Sequence, residues 1–160
     1  MPMGSVDRRF VLLSLTALAG APWGAAYGTE NLPKVTVTRD PNCGCCEAWA
    51  EHLRQAGFPV EVVGTSNISQ VKAKLGVPSD LAACHTGEVS GYVVEGHVPA
   101  SAIKRMLAER PSATGLAVPG MPVGSPGMEF EGAEPDTYAV ILFGADGQRT
   151  FARFRGGDEV

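Results

Sequence analysis

Apolar and polar residues alternate first at Val35 and Val37, set among Thr36 and Thr38, so Lys34–Arg39 is predicted to be a strand. Asp40-Pro41-Asn42 breaks it. The period then changes. Cys46, Trp49, Ala50 and Leu53 recur at i, i+3, i+4 and i+7, which predicts a helix from Gly44 or Cys45 to Ala56, closed by Gly57. Phe58–Val63 returns to an extended pattern. Ile68, Val71 and Leu75 share a face of a second helix, with Asn67 at its cap and Gly76 and Pro78 stopping it. Residues 79–82 suggest a helical turn. Two short strands, His85–Val89 and Tyr92–Glu95, flank Ser90-Gly91. Pro99 then opens a helix through Glu109, with Ile103, Met106 and Leu107 inward. Residues 112–136 show no period and read as one long loop. Thr137–Phe143 and Arg149–Phe154 read as a hairpin across Gly144–Gly147.

The order is β-α-β-α-β-β-α, followed by an added Gly/Pro/Met loop and a C-terminal β-hairpin. An α/β domain over residues 34–155 follows. Its opening strand, cysteine-bearing turn, helix and parallel strand are how thioredoxin-like folds begin, with the first two strands made parallel by a right-handed crossover. Ahead of it, Arg8-Arg9 precede a short apolar run, Phe10 to Ala21, and then small residues around Gly24–Gly28. Residues 1–28 therefore read as a secretory leader, by the twin-arginine or the general route, too short to span a bilayer comfortably. The expected location is the periplasm, with no stable membrane span in the mature chain.

Composition narrows the partners. The chain is 44% hydrophobic but only 7% aromatic, so its core must be built largely from aliphatic residues. With 20 glycines and 12 prolines, loops are extensive. The net charge of −4 and the lack of a basic block argue against nucleic acid.

The candidate chemistry is sulfur. Of four cysteines, Cys43, Cys45 and Cys46 sit together and Cys84 stands apart. A stapling framework would spread them, so clustering favours a metal or redox site. Cys43 and Cys46 have the C-x-x-C spacing at a helix start, where unpaired N–H groups and the helix dipole stabilise a thiolate, the form that attacks disulfides and binds soft metals. Cys45 adds a third soft donor that a dithiol oxidoreductase would not need. Thiolates favour Cu(I), zinc or iron–sulfur. Zinc ranks below copper here, because three cysteines from one turn do not form a tetrahedral cage easily. Cys84 is a further ligand, a resolving thiol or a buried small residue. The oxidised pairing stays open among Cys43–Cys46, Cys45–Cys46 and a bond to Cys84.

Other donors are weighed beside these. His52 falls on the polar side of its helix and reads as solvated. His85 adjoins Cys84, and in a strand the two side chains would point to opposite faces, so one reaches the site more readily. His97, after the Glu95-Gly96 turn, is either a ligand or structural. Met106 is at core spacing. Met121 and Met128 have no such explanation, and their thioethers either bind Cu(I) or cover apolar surface.

Taken together, the motifs resemble those of a known family. Asp40-Pro41-Asn42-Cys43-Gly44-Cys45-Cys46, Leu75–Pro78, Cys84-His85-Thr86, Gly91–Pro99 and Gly115–Met128 occur in the order seen in CopG-type periplasmic proteins, whose metal-binding domain was long catalogued without a function. The resemblance covers residues 34–155. It implies a thioredoxin-like fold, copper resistance, and a copper cluster held by Cys, His and Met. It also implies interconversion of Cu(I) and Cu(II) coupled to thiol and disulfide. The family's site residues map onto Cys43, Cys45, Cys46, Cys84, His97, Met121 and Met128, with His85 beside them. Copper ions are the implied partner, and other periplasmic copper-handling or redox proteins are candidates. Cys43, Cys45, Cys46 and Cys84 are the candidate redox-active residues of that cycle. Two rivals remain: a metal-independent thiol–disulfide oxidoreductase, which leaves Cys45 and the loop methionines unexplained, and a passive copper or zinc carrier.

Overall fold

The computed structural model describes residues 31–160. The expected leader over residues 1–28 lies outside them. The elements are β1 (Val35–Arg39), α1 (Gly44–Gln55), β2 (Val60–Gly64), α2 (Ile68–Lys74), β3 (His85–Val89), β4 (Tyr92–Glu95), α3 (Ala100–Glu109), β5 (Gly115–Ala117), β6 (Thr137–Gly144), β7 (Gly147–Arg155) and β8 (Asp158–Glu159). All eight strands join one mixed sheet in the order β2-β1-β3-β4-β5-β6-β7-β8.

The first seven elements follow the expected order. β1 and β2 are parallel, as a helical crossover between them requires. β3 runs antiparallel to β1, and β4 antiparallel to β3. Ser90 and Gly91 both have positive φ, the geometry of a tight two-residue hairpin turn. Two expectations need correction. Residues 112–136 are not all loop: β5 lies within them, parallel to β4 and antiparallel to β6. The C-terminal hairpin is no separate appendage, since β6 extends the main sheet through β5. Residues 79–81 form a turn, closed by the Leu81 N–H donating to the Pro78 carbonyl at 3.0 Å.

The core joins α1, α3 and both halves of the sheet. Val35, Val37, Trp49, Leu53, Ile103, Met106, Leu116, Val140 and Phe154 form one buried cluster. The α1 face expected from spacing is the buried one: Cys46, Trp49, Ala50 and Leu53. Gly87 in β3 makes room for it, because a Cβ there would stand 3.2 Å from the Trp49 ring. Trp49 Nε1–H donates to the Val98 carbonyl at 2.9 Å, tying α1 to the approach to α3.

α2 departs from its pattern. Ile68, Val71 and Leu75 are half-buried, and the buried residue is Lys72. Asn67 sits at the cap position without a side-chain cap bond. Lys72 bonds to Thr86, whereas the neighbouring His85 packs on Trp49 of α1. Successive strand residues point to opposite faces, so α1 and α2 cover opposite faces of β3. Among the described residues, no helix is long and apolar enough to cross a membrane.

Candidate metal centre

The turn between β1 and α1 delivers the first cysteines. Asp40 Oδ1 accepts the Asn42 N–H at 2.8 Å, and the Asp40 carbonyl accepts the Cys43 N–H at 3.1 Å, which curls the chain into the helix. The Arg39 guanidinium grips this curl through the carbonyls of Asp40 and Pro41 and through Glu47 Oε2 at 3.1 Å. Cys43 then occupies the N-cap of α1, with Cys45 and Cys46 in its first turn.

Cys43 and Cys46 are joined by a disulfide, one of the three pairings left open by the sequence. Cys45 and Cys84 are free thiols. Cys45 Sγ lies 3.4 Å from Cys43 Sγ and 3.8 Å from Cys84 Sγ. Cys84 Sγ in turn lies 3.2 Å from His85 Nδ1 and 3.3 Å from His97 Nε2. The expectation that Cys84 and His85 face apart does not hold. Cys84 precedes β3 at a bend, so strand alternation does not apply to it.

The donors fall into two groups that share Cys84. Cys43, Cys45, Cys46 and Cys84 form one, and Cys84, His85 and His97 the other, each with donor atoms within 4.8 Å of one another. The state of His97 follows from its neighbours. Its Nδ1 stands 2.8 Å from the Pro126 carbonyl, which can only accept. Nδ1 therefore carries the proton, and in the neutral ring Nε2 turns a lone pair toward Cys84. His85 stacks on Trp49 at a centroid distance of 4.3 Å and meets His97 edge-on at 5.0 Å.

Burial sets the protonation. Burial, with the Cys45 sulfur beside it, pushes the Cys84 thiol up to about 12, against a weaker pull from Lys72. Cys84 is thus a neutral thiol at pH 7, and a cation binding there must displace its proton. Burial also holds His97 below the ordinary imidazole range, opposed by the Pro126 carbonyl and Glu129. His85 is driven well below it by burial, then by His97 and Lys72. Both imidazoles are neutral, the form that binds metals. The buried His85 Nε2 has no hydrogen-bond partner, an arrangement that costs about 1–3 kcal/mol in a purely structural pocket. Soft thiols, neutral imidazoles and this orphaned nitrogen together suit a soft metal ion.

The chain is similar to known proteins. The family described as "Protein of unknown function, DUF411" matches residues 81–128, which include Cys84, His85, His97 and the loop beyond. No curated protein matches the chain. Two solved structures do, forms 2 and 1 of a copper resistance protein CopG. Each is 45% identical with a TM-score of 0.72, aligning 77% and 78% of this chain with 98% and 99% of the other. The chain belongs to the CopG family.

In this CopG-type chain the six expected Cys and His donors come together at the end of the sheet where α1 begins. The two expected methionines are placed differently. Met121 is 54% exposed, and Met128 is half-buried on a loop that abuts the centre. Gly127, with φ +84°, packs so closely on α1 that a Cβ would lie 2.7 Å from Trp49 N and 2.9 Å from the Cys45 carbonyl oxygen. His52 is not the solvated residue its helical position implied. Its Nε2 accepts the Ala100 N–H at 3.1 Å, at the start of α3.

Sequence reasoning missed the polar group behind the centre. Lys72, Thr86 and Glu95 are all buried and bonded to one another. A signal was present: Lys72 stands four residues after Ile68 and three before Leu75, on the edge of the helix face expected inward.

Proposed function

We propose that this chain is an exported copper-binding redox protein of the periplasm, acting in copper resistance. It captures Cu(I) through cysteine, histidine and methionine, and it exchanges electrons between copper and its own sulfurs. The domain over residues 34–155 is read as thioredoxin-like, delivered by a leader over residues 1–28. The observation that carries this reading is the placement of two free thiols, Cys45 and Cys84, between a disulfide and two neutral imidazoles. The CopG proteins that the chain matches are named for copper resistance.

The donor groups suggest how the sulfurs act. Reduction of the Cys43–Cys46 disulfide takes up two electrons and two protons and yields two thiols. Oxidation of two Cu(I) ions to Cu(II) supplies those two electrons, and the reverse step returns them. Reduction also adds two soft donors beside Cys45. Because Cys84 belongs to both groups, its sulfur is suited to bridging ions. Met121 and Met128 would add thioether donors from the loop. A single closed zinc site is less well served, since the free donors do not converge on one tetrahedron.

The deciding experiment loads reduced protein with Cu(I) under anaerobic conditions and measures the stoichiometry. Oxidant is then added while copper oxidation state and free thiols are followed together. Thiol loss should track copper oxidation state. In Cys45→Ser the stoichiometry should fall, while Cys43 and Cys46 still pair. Failure to bind copper would end the proposal. Bound copper without a linked thiol change would leave a passive carrier.

A further inference from the structure

Behind the metal-binding corner lies a charged pair that the copper reading does not use. Lys72 Nζ meets Glu95 Oε1 at 2.5 Å, with their side chains 10% and 0% exposed. Glu95 makes two further bonds. Oε1 accepts the Ala83 N–H at 2.6 Å, and Oε2 accepts the Thr86 hydroxyl at 2.6 Å. Lys72 Nζ also donates to Thr86 Oγ1 at 2.9 Å. One carboxylate thus holds the chain on both sides of Cys84-His85, at residue 83 and at residue 86.

The same carboxylate is linked to the third donor through backbone. Only Gly96 separates Glu95 from His97. Gly96 N–H donates to the His85 carbonyl at 3.1 Å. Gly96 has φ +72°, and a Cβ there would stand 2.6 Å from the Val118 carbonyl oxygen and 2.7 Å from Ala83 Cβ. The segments bearing Cys84-His85 and His97 are therefore pressed together at Gly96 and bolted at Glu95. Stability alone does not account for such a pair. Buried ion pairs do little better than well-packed apolar residues of the same volume, whereas losing one partner strands a charge. Thr86 and Lys72 sit on the face of β3 opposite His85, so the network touches none of the candidate metal donors through its charged atoms.

We propose that the buried Lys72–Glu95 pair, with Thr86, is a positioning device that holds Cys84, His85 and His97 in register for metal binding. It rests on the copper reading for the identity of the ion, but not for the geometry it controls. Groups that orient metal ligands from behind commonly alter affinity by about 10- to 100-fold when changed.

The test uses K72M/E95Q, which removes both charges at nearly constant volume, and Thr86→Val, which removes one hydroxyl and leaves the pair. Lys34→Met with Glu61→Gln, at an exposed pair, is the control. Circular dichroism establishes folding. Iodoacetamide alkylation of the metal-free, disulfide-bonded protein, mapped by mass, gives the rate at Cys84 relative to Cys45. Competition with a chromogenic Cu(I) chelator gives affinity. K72M/E95Q should raise the alkylation ratio several-fold and weaken Cu(I) binding about 10- to 100-fold. Thr86→Val should move both in the same direction by less, and the control should move neither. Values within about twofold of the parent in both measurements would overturn the proposal. So would a changed alkylation ratio with unchanged affinity. If K72M/E95Q does not fold, Thr86→Val decides. If the parent takes up no Cu(I), the copper reading fails by itself, and the alkylation ratio alone decides the positioning role.

Discussion

At the scale of single residues, the three histidines share a condition that should be visible in acid. Burial lowers the affinity of each for its proton. For His52 the nearby Lys104 adds to that and Glu129 opposes it. For His97 and His85 the causes are those given above. Below about pH 6.5 the unfolded chain takes up protons that the folded chain refuses, so stability falls as pH falls. Each histidine adds a slope of at most about 1.4 kcal/mol per pH unit, which ends once the pH is below its own folded value. Glu47 and Glu61 act in a different window. Glu47 is held low chiefly by its bond to Arg54, and Glu61 by Lys34; what they contribute is lost only as pH falls below about 4.5. Urea unfolding of metal-free, disulfide-bonded protein should therefore show the midpoint dropping between pH 7 and pH 5. His52→Gln, which keeps an acceptor for the Ala100 N–H, should make that drop shallower. A flat profile would mean that the imbedded imbalance of protons does not exist and that the rings are open to water.

At the scale of elements, the centre depends on a loop whose backbone matters more than its side chains. The Pro126 carbonyl fixes the His97 tautomer, and Gly127 lets the loop lie against the first turns of α1. Gly127→Ala meets both a positive φ and the backbone of Trp49 and Cys45. It should cost about 1–3 kcal/mol of stability. It should also release the Nδ1–H of His97, seen by NMR as faster exchange of that proton with water. Loss of stability without a change at His97 would show that the loop packs on α1 but does not hold the ring. This loop also marks where the sequence stops being informative. β1 and α1 were legible because one side chain in two, or one helix face, is apolar, and the β3–β4 hairpin because Ser90-Gly91 marks its turn. β5 was not, because Gly115, Leu116 and Ala117 are all buried and leave no alternation to read. The donors Cys84 and His97 could be picked out by residue type. Their convergence could not, because it depends on a bend before β3, a carbonyl at Pro126 and the close approach at Gly96.

At the scale of the whole molecule, the question is whether the Cys43–Cys46 disulfide holds the fold or serves the site. The bond closes a sequence separation of only 3. By chain entropy, so short a loop stabilises by about 2 kcal/mol at most, where a staple closing a long loop would give more. The core lies elsewhere. Val35 of β1, Trp49 and Leu53 of α1, Ile103 of α3, Leu116 of β5 and Phe154 of β7 pack as one cluster that spans the sheet. Of the bonded pair only Cys46 is buried, on the face of α1 that Trp49 and Leu53 already anchor. Reduction should accordingly leave the far-ultraviolet circular dichroism unchanged and the unfolding cooperative, with stability lowered by about 2 kcal/mol or less. A redox centre requires this, since both of its states must be folded to exchange electrons with a bound ion. Reduced protein that unfolds, or melts without cooperativity, would make the bond a structural staple. The thiols of Cys43 and Cys46 would then be unable to take part in a reversible cycle, whatever copper the remaining donors held.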